Sequence, residues 1–508
     1  MQERIDPQSF QTRLKELFRA VQVNPMDKEA RAGLQGWLDE HPDEFEAWLP
    51  ADALTFGTAP ERKSRRLDFL KHLLLSGYLP PRVETVSGAA WQHDTVNFAV
   101  VPSYFYSNTF SFLEAGFGRT DVAVFVAQPH SSASQPWVEL RQGSGLNIHA
   151  ALMLDSDGRN LVWRHFQHSV AAHYLFPVDN YHRDKFRLVK EYANCGVPMP
   201  GSALLRDVCE DKAQLQAIVK GIPGLHLPGE RLLLSSQDSV ARASIVDNFC
   251  QTHNARHLVT KPVDGFGGYG VQFWDYPHER PAMLAHLASA FASSPAIVLQ
   301  ERIRTLPVRS GREWNVRQYV VRRSATEIVA PYSRIRIGTG VINTEQGADS
   351  FLVDSLLAEL DLTVKQRAGF EAAFASIDSL GIQVMNALTN YMQRKFQPQE
   401  SGYRGGGSNL EADLLALDFM IAPDNQRPDR YRVYLLEIND FASGGMRDFE
   451  ILIHRQRLPQ ASSIHASQPY CLAPAILDTA RWRGQAYKNA IEGSGSFALD
   501  IANAHEVR

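Results

Sequence analysis

Cysteine is scarce in this chain. Cys195, Cys209, Cys250 and Cys471 are the only 4 in 508 residues, and they show no metal-ligand spacing. That excludes a disulfide scaffold and fits a reducing compartment, so a cytoplasmic protein is expected. No apolar run reaches about 18 residues, the length a membrane helix needs. The opening "MQERIDPQSFQTRLKELF" is charged and lacks the apolar core of a secretory signal. No excess of one charge is present either: 52 Lys and Arg stand against 56 Asp and Glu, a net charge of −4. Neither nucleic acid nor a membrane is therefore expected as a partner. No repeat of 20–50 residues is seen. There is no Gly-x-Ser-x-Gly elbow of a serine hydrolase. His165, His168, His173 and His182 lie close in sequence but lack the i, i+4 spacing of a zinc motif.

What is present points to a soluble α/β (α+β) chain of several units. Hydrophobic content of 44% and charged content of 21% are those of a globular protein, and 508 residues exceed one ordinary core. Residues 1–88 read as a helical N-terminal region, with Phe10, Leu14, Leu17, Phe18 and Val21 on one face. Residues 89–183 are rich in β-branched and aromatic runs, such as "TVNFAVVPSYFY" and "DVAVFVAQ", and read as a small α/β domain. A helix is expected over Asp184–Asn194, followed by "GVPMPGSALL" as an exit into a strand. From about 224 to 303, strands "ERLLLSS", "HLVTKP" and "AIVLQERI" alternate with two helical patterns. A larger unit extends to about 450, with a long helix over Thr363–Arg394 and a glycine-rich loop "ESGYRGGGSNLEA". Residues 451–508 form a C-terminal helical extension, its helix over about Pro474–Ile491.

Three features carry chemistry. In "LVTKPVDGFGGYGV", Lys261 closes an apolar strand, and Gly265, Gly267, Gly268 and Gly270 follow within nine residues. Glycine lets backbone approach a ligand closely, and main-chain N–H groups beside a lysine suit phosphate oxygens. The spacing is neither a Walker A motif nor a dinucleotide fingerprint, and a plain hairpin turn remains the alternative. In "DFMIAPDNQRPDRYRVYLLEIND", Glu437 and Asn439 alternate near the end of one strand and so share a face, with Ile438 turned to the core. Asp418 on the preceding strand can complete a set of hard oxygen ligands for Mg²⁺. In "VLQERIRTLP" and "GREWNVRQYVV", a strand runs into Glu301 and Ile303, whose main chain can meet an adenine edge. Glu313 is a candidate for holding a ribose.

The order of these pieces resembles the ATP-grasp superfamily. "DKFRLVKEYANCGVPMP", "LVTKPVDGFGGYGV", "VLQERI", "EWNVRQYVV", "SRIRIGTGVIN" and "LLALDF…YLLEIND" carry the resemblance, over about half the chain from Asp184 to Gly445. The glycine loop is most similar to glutathione synthetase, and "EWNVRQYVV" to relatives of tubulin–tyrosine ligase. The resemblance implies an ATP-grasp domain over 184–450, with a lid subdomain over about 224–303. It implies ATP as a ligand, with Lys261 on the α- or β-phosphate and Gly265, Gly267 and Gly268 in a lid. Glu301, Ile303 and Glu313 would serve the nucleoside. Asp418, Glu437 and Asn439 would hold one or two Mg²⁺ ions, with Mn²⁺ as a substitute. Arg317, Arg334, Arg336 and Asn343 would stabilise the transferred phosphate and oxyanion. The superfamily's earlier nucleotide-facing lysine has no counterpart, and Arg231 stands near its place. The implied activity is a carboxylate–amine ligase acting on small-molecule, amino-acid or peptide substrates. A small-molecule kinase and a degenerate nucleotide-binding scaffold are the alternatives. A homodimer is compatible with the size.

Overall fold

A computed structural model of the chain describes residues 5–23, 27–49, 67, 70–71, 73–91, 95–102, 108–127, 137–141, 145–158, 160–178, 192, 195–263, 268–342, 348–396, 410–424, 426–440, 446 and 472–493. No helix among them is long and apolar enough to cross a membrane.

The N-terminal helices are Pro7–Val23, Lys28–Glu40 and Pro42–Trp48. Phe10, Leu14, Phe18 and Val21 are buried at the expected helical spacing. Asp27 caps the second helix by accepting from the Glu29 and Ala30 amides. The pattern that reads as one continuing helix breaks at His41, because Pro42 has no N–H to donate and starts a new helix instead.

The first sheet has seven strands. Its order is Arg82–Val86, Leu161–Ala171, Gly145–Leu154, Val122–Val126, Val96–Pro102 and Tyr174–Val178, with Val138–Arg141 beside Gly145–Leu154. Both parallel and antiparallel pairs occur. The sheet shares one core with the N-terminal helices and with the C-terminal helix Leu472–Gly493.

That last helix fastens the first unit to the sheet that contains the Glu313–Arg322 strand. Thr479 Oγ1 donates to the Arg322 carbonyl at 2.7 Å. Asp478 takes Arg323 at 2.6 Å and Arg119 at 3.0 Å. Arg483 meets the buried Asp413 at 2.7 Å.

His173, one of the four clustered histidines, is a core residue here. Its Nδ1 accepts from the Asn97 amide at 3.1 Å, so it is neutral. Burial, and then nearby Lys488, push its imidazole down from 6.5 to about 4. The unfolded chain therefore binds this proton near pH 6.5 and the folded chain only near 4. Stability from this group is complete above pH 6.5 and falls as the pH drops towards 4, by up to about 3 kcal/mol. Urea midpoints at pH 7 and 4.5 check this: His173→Asn should lose less on acidification than wild type, and equal losses would contradict it.

The second sheet is antiparallel and four-stranded, in the order Gln272–Asp275, His257–Pro262, Ala296–Glu301 and Glu230–Leu234. Helices Ser239–His253 and Arg280–Ala290 cover one face. Leu233, Leu258, Ile297 and Leu299 pack there against Val246, Phe249, Met283 and Leu287.

The third sheet carries the Asp349–Phe351, Ser333–Gly338, Glu313–Arg322, Leu414–Asp424, Arg427–Asp440 and Leu225–His226 strands in that order, with Ile328–Val329 beside Glu313–Arg322. The long helix Val364–Lys395 lies on one face, opened by a capping box between Thr363 and Gln366. Trp314 meets its Phe370 with ring centroids 5.6 Å apart. Gly381 brings the helix close: a Cβ there would stand 2.1 Å from Gln318 Oε1.

One expected strand is a helix. "GSALL" leads into the helix Ala203–Glu210, because the Ser202 hydroxyl accepts from the Leu205 amide and caps it. The helix expected over Asp184–Asn194 and the glycine-rich loop lie largely outside the described residues.

Candidate active site

Alternation divides the Glu313–Arg322 strand cleanly. Trp314, Val316 and Val320 face the long helix and join its core. Glu313, Asn315, Arg317, Tyr319 and Val321 face the other way. This second face is itself divided. Tyr319, Val321, Tyr332, Leu414 and Ala416 enter the core of the first unit. The remainder is polar, so the site begins where that junction ends.

Register gathers the polar residues. Arg334 is opposite Arg317, Arg317 is opposite Asp418, and Asp418 is opposite Glu437. Directly opposed residues share a face, so these side chains form one row across neighbouring strands. Arg336 extends it, opposite Asn315.

A bulge aims the far end of the row. The pairing shifts between Asp418 and Phe419, with Leu436 as the additional residue on the partner strand. Val433 and Leu435 are buried before it and Ile438 after it, so the buried positions change parity. The extra residue turns Glu437 and Asn439 onto the same face as Asp418.

Asp418 is the electrostatic centre. Arg317 grips it through Nε and Nη2, both at 2.8 Å. Arg336 Nη2 reaches the same carboxylate at 2.9 Å. Arg336 and Asp418 are almost fully buried. Burial acts against every charge in this cluster. The two guanidiniums overcome it at Asp418 and hold the carboxyl well below the usual range. Burial dominates at Arg336 and pushes it down to about 10, still protonated at neutral pH. Asp418, through its charge and its hydrogen bonds, keeps Arg317 above its ordinary value against the same burial. Arg334 Nε donates to Ser350 Oγ at 2.8 Å.

The residues fit a small hard cation. Asp418, Glu437 and Asn439 supply two carboxylates and an amide. A carboxylate has about four acceptor positions, and the arginines use three at Asp418. Asn439 Nδ2 is buried without a hydrogen-bond partner, and a half-turn of the amide places its oxygen there instead. Glu437 is exposed, and its carboxylate makes no hydrogen bond among the described residues. No cluster of three His, Cys, Asp or Glu suited to a metal occurs among the described residues, so the amide is needed.

On the four-stranded sheet, Lys261 lies opposite Val298, which lies opposite Leu232. These three share the face away from the helices. Lys261 Nζ donates to Gln300 Oε1 at 3.2 Å, and Gln300 Nε2 donates to Glu230 Oε2 at 3.0 Å. Arg231 does not join them. It lies opposite Leu299, on the helix-covered face, so the expectation that it replaces a nucleotide-facing lysine is corrected. Leu232 and Leu234 occupy the Lys261 face instead and are 45% and 39% exposed. Gly268 and Gly270 have φ of 80° and 75°, and a Cβ on Gly270 would stand 2.8 Å from Pro262. Gly270 thus lies against the strand that carries Lys261. Gly265, Gly267 and Asn343 lie outside the described residues.

The two sheets meet at Arg302. Its Nη2 donates to both carboxylate oxygens of Glu313, at 2.9 and 2.8 Å. Its guanidinium lies 4.3 Å from the Phe273 ring centroid. Glu313, expected at a ribose, is thus engaged by Arg302. The Glu301 amide donates to the Gly229 carbonyl at 2.8 Å and the Arg302 amide to His257 at 2.9 Å. Ile303 is buried, and its main chain makes no hydrogen bond among the described residues. A cavity of about 200 Å³ between Thr260, Ile297 and His286 lies on the helix side of the sheet, away from Lys261.

Asn315, Ser350 and Arg302 did not stand out in the sequence. Asn315 had a signal, since Glu313, Asn315 and Arg317 alternate on one strand. Ser350 becomes a partner of Arg334 only through strand pairing, and Arg302 meets Glu313 only through the path of the segment between them.

No family model and no curated protein matches the sequence. Several solved structures are similar. The D-alanine-D-alanine ligase from Coxiella burnetii is 10% identical with a TM-score of 0.43, covering 81% of this chain and 100% of that one. The D-alanine–D-alanine ligase from Bacillus anthracis complexed with ATP is 12% identical with a TM-score of 0.39, covering 77% and 99%. The macrocyclase MdnC bound with precursor peptide MdnA from Microcystis aeruginosa MRC is 13% identical with a TM-score of 0.42, covering 76% and 99%. The mixed α/β architecture, with its helical N-terminal region, is of the kind the ATP-grasp resemblance implies.

Proposed function

We propose that the chain is an ATP- and Mg²⁺-dependent carboxylate–amine ligase that forms an amide through an acylphosphate. The observation that carries this reading is the row Arg334, Arg317, Asp418 and Glu437 across one sheet face. A glycine loop and Lys261 on an adjoining sheet support it.

In this reading Lys261 and the loop amides hold the phosphates. Asp418, Glu437 and Asn439 hold Mg²⁺, which when bound neutralises phosphate charge. Arg317, Arg334 and Arg336 meet the transferred phosphoryl group and the oxyanion that develops at the acyl carbon, and Asn343 assists. Planar guanidiniums fixed in a row cost little reorganisation at the moment of reaction. Glu301 and Ile303 border the adenine, where the open Ile303 main chain is the better suited of the two. The γ-phosphoryl group passes to a substrate carboxylate, giving an acylphosphate and ADP. An amine then attacks the acyl carbon, an amide forms and phosphate leaves. The chain supplies positioning and electrostatics and needs no covalent nucleophile. The substrates are small-molecule, amino-acid or peptide carboxylates and amines.

One observation favours a second reading. Leu232, where a second cation would assist the phosphates, supports a protein that binds nucleotide without turnover.

Both are tested by measuring ADP release with pools of amino acids and peptides, with hydroxylamine as the amine. A ligase gives hydroxamates from the activated acid. A stable phosphorylated product instead indicates a kinase. Nucleotide binding without ADP release indicates the non-catalytic reading.

A further inference from the structure

One buried polar residue beside the arginine row has no part in the chemistry above. Asn315 is 6% exposed and lies directly opposite Arg336. Its Oδ1 accepts from Arg336 Nε at 2.8 Å. Elsewhere on the guanidinium, Nη2 donates to Asp418 Oδ1 at 2.9 Å. The two acceptors come from the strands Glu313–Arg322 and Leu414–Asp424. A rigid planar fork held at two of its nitrogens has its plane and direction fixed.

Asp418 alone would not achieve this. It is already gripped in bidentate fashion by Arg317, so Arg336 has only a single contact with it. The Nε contact to Asn315 removes the remaining freedom of rotation. An amide does so without adding charge to a cluster in which two guanidiniums already share one carboxylate.

We propose that Asn315 is a positioning residue that fixes the Arg336 guanidinium in the direction from which it meets a substrate oxyanion. This rests on the nucleotide-site reading above. The matching contact of Arg334 Nε with Ser350 Oγ, at 2.8 Å, shows the same device one register step away.

The test uses Asn315→Leu, which keeps the size and loses the acceptor, and Asn315→Asp, which keeps the acceptor. The first readout is the ¹⁵N-labelled Arg336 Nε–H signal, assigned by its loss in Arg336→Lys. It should exchange slowly in wild type and in Asn315→Asp, and quickly in Asn315→Leu. The second is calorimetric titration with a non-hydrolysable ATP analogue and Mg²⁺. Asn315→Leu should bind about 10-fold more weakly or worse, and Asn315→Asp should recover most of that loss. If Asn315→Leu does not fold, Asn315→Ala carries the same comparison. Equal affinity in folded Asn315→Leu and wild type would overturn the inference while leaving the nucleotide site intact. No analogue binding by wild type would overturn the nucleotide reading itself.

Discussion

Asp418→Asn is expected to lower stability by about 3–5 kcal/mol, the cost of leaving buried charges without their partner. The carboxylate lies between two guanidiniums, and Arg336 is itself almost fully buried. Asparagine keeps the shape and one acceptor oxygen but removes the charge that offsets both cations. The melting temperature of the affected unit should fall on the order of 10 °C. A second substitution decides the cause. Arg336→Met in the Asp418→Asn background should recover part of the loss, because it removes one of the stranded charges. A residue whose sole role was to hold Mg²⁺ would behave differently, since its loss would weaken nucleotide binding and leave the melting temperature unchanged. Thermal denaturation of the single and double variants separates the two cases.

Lys261→Ala should do the reverse. Lys261 is half-buried at the end of its strand, and its contact with Gln300 is long, at 3.2 Å. Removing it should leave the melting temperature within about 2 °C of wild type, as for most changes outside a core. Affinity for an ATP analogue should nonetheless fall on the order of 100-fold, the scale for a charge that meets phosphate in a partly desolvated site. Normal binding by this variant would place the phosphates elsewhere, and the glycine loop would then be a structural turn.

Much of this architecture was legible in the residues. The strands around "HLVTKP", "EWNVRQYVV", "LLALDF" and "YLLEIND" form where their periodicity places them. The long helix, expected from Thr363, begins at Val364 with Thr363 as its cap. The shared face of Glu437 and Asn439 followed from alternation alone. What could not be read was register. The order of the motifs puts Arg231 near the place of a nucleotide-facing lysine, yet a shift of one residue moves a side chain to the opposite face, and Leu232, across Val298 from Lys261, stands on the Lys261 face instead. The pairing of Arg302 with Glu313 joins residues from opposite ends of a connecting segment, and no short-range pattern reports it. The double grip on Asp418 depends on strands about a hundred residues apart in sequence. The misread "GSALL" shows the same limit locally: its apolar residues suit a strand, and a serine cap turned them into a helix.

The central claim is that this face binds a nucleotide together with a divalent cation. It is tested most directly by calorimetric titration of wild type and Glu437→Gln with a non-hydrolysable ATP analogue, with and without Mg²⁺. Glu437 is exposed and outside the buried ion pairs, so its substitution should leave the fold intact. The account predicts binding by wild type that is strengthened by Mg²⁺, and loss of that Mg²⁺-dependent gain in Glu437→Gln. Wild-type binding that is absent with and without Mg²⁺, or a full Mg²⁺-dependent gain in Glu437→Gln, would contradict it.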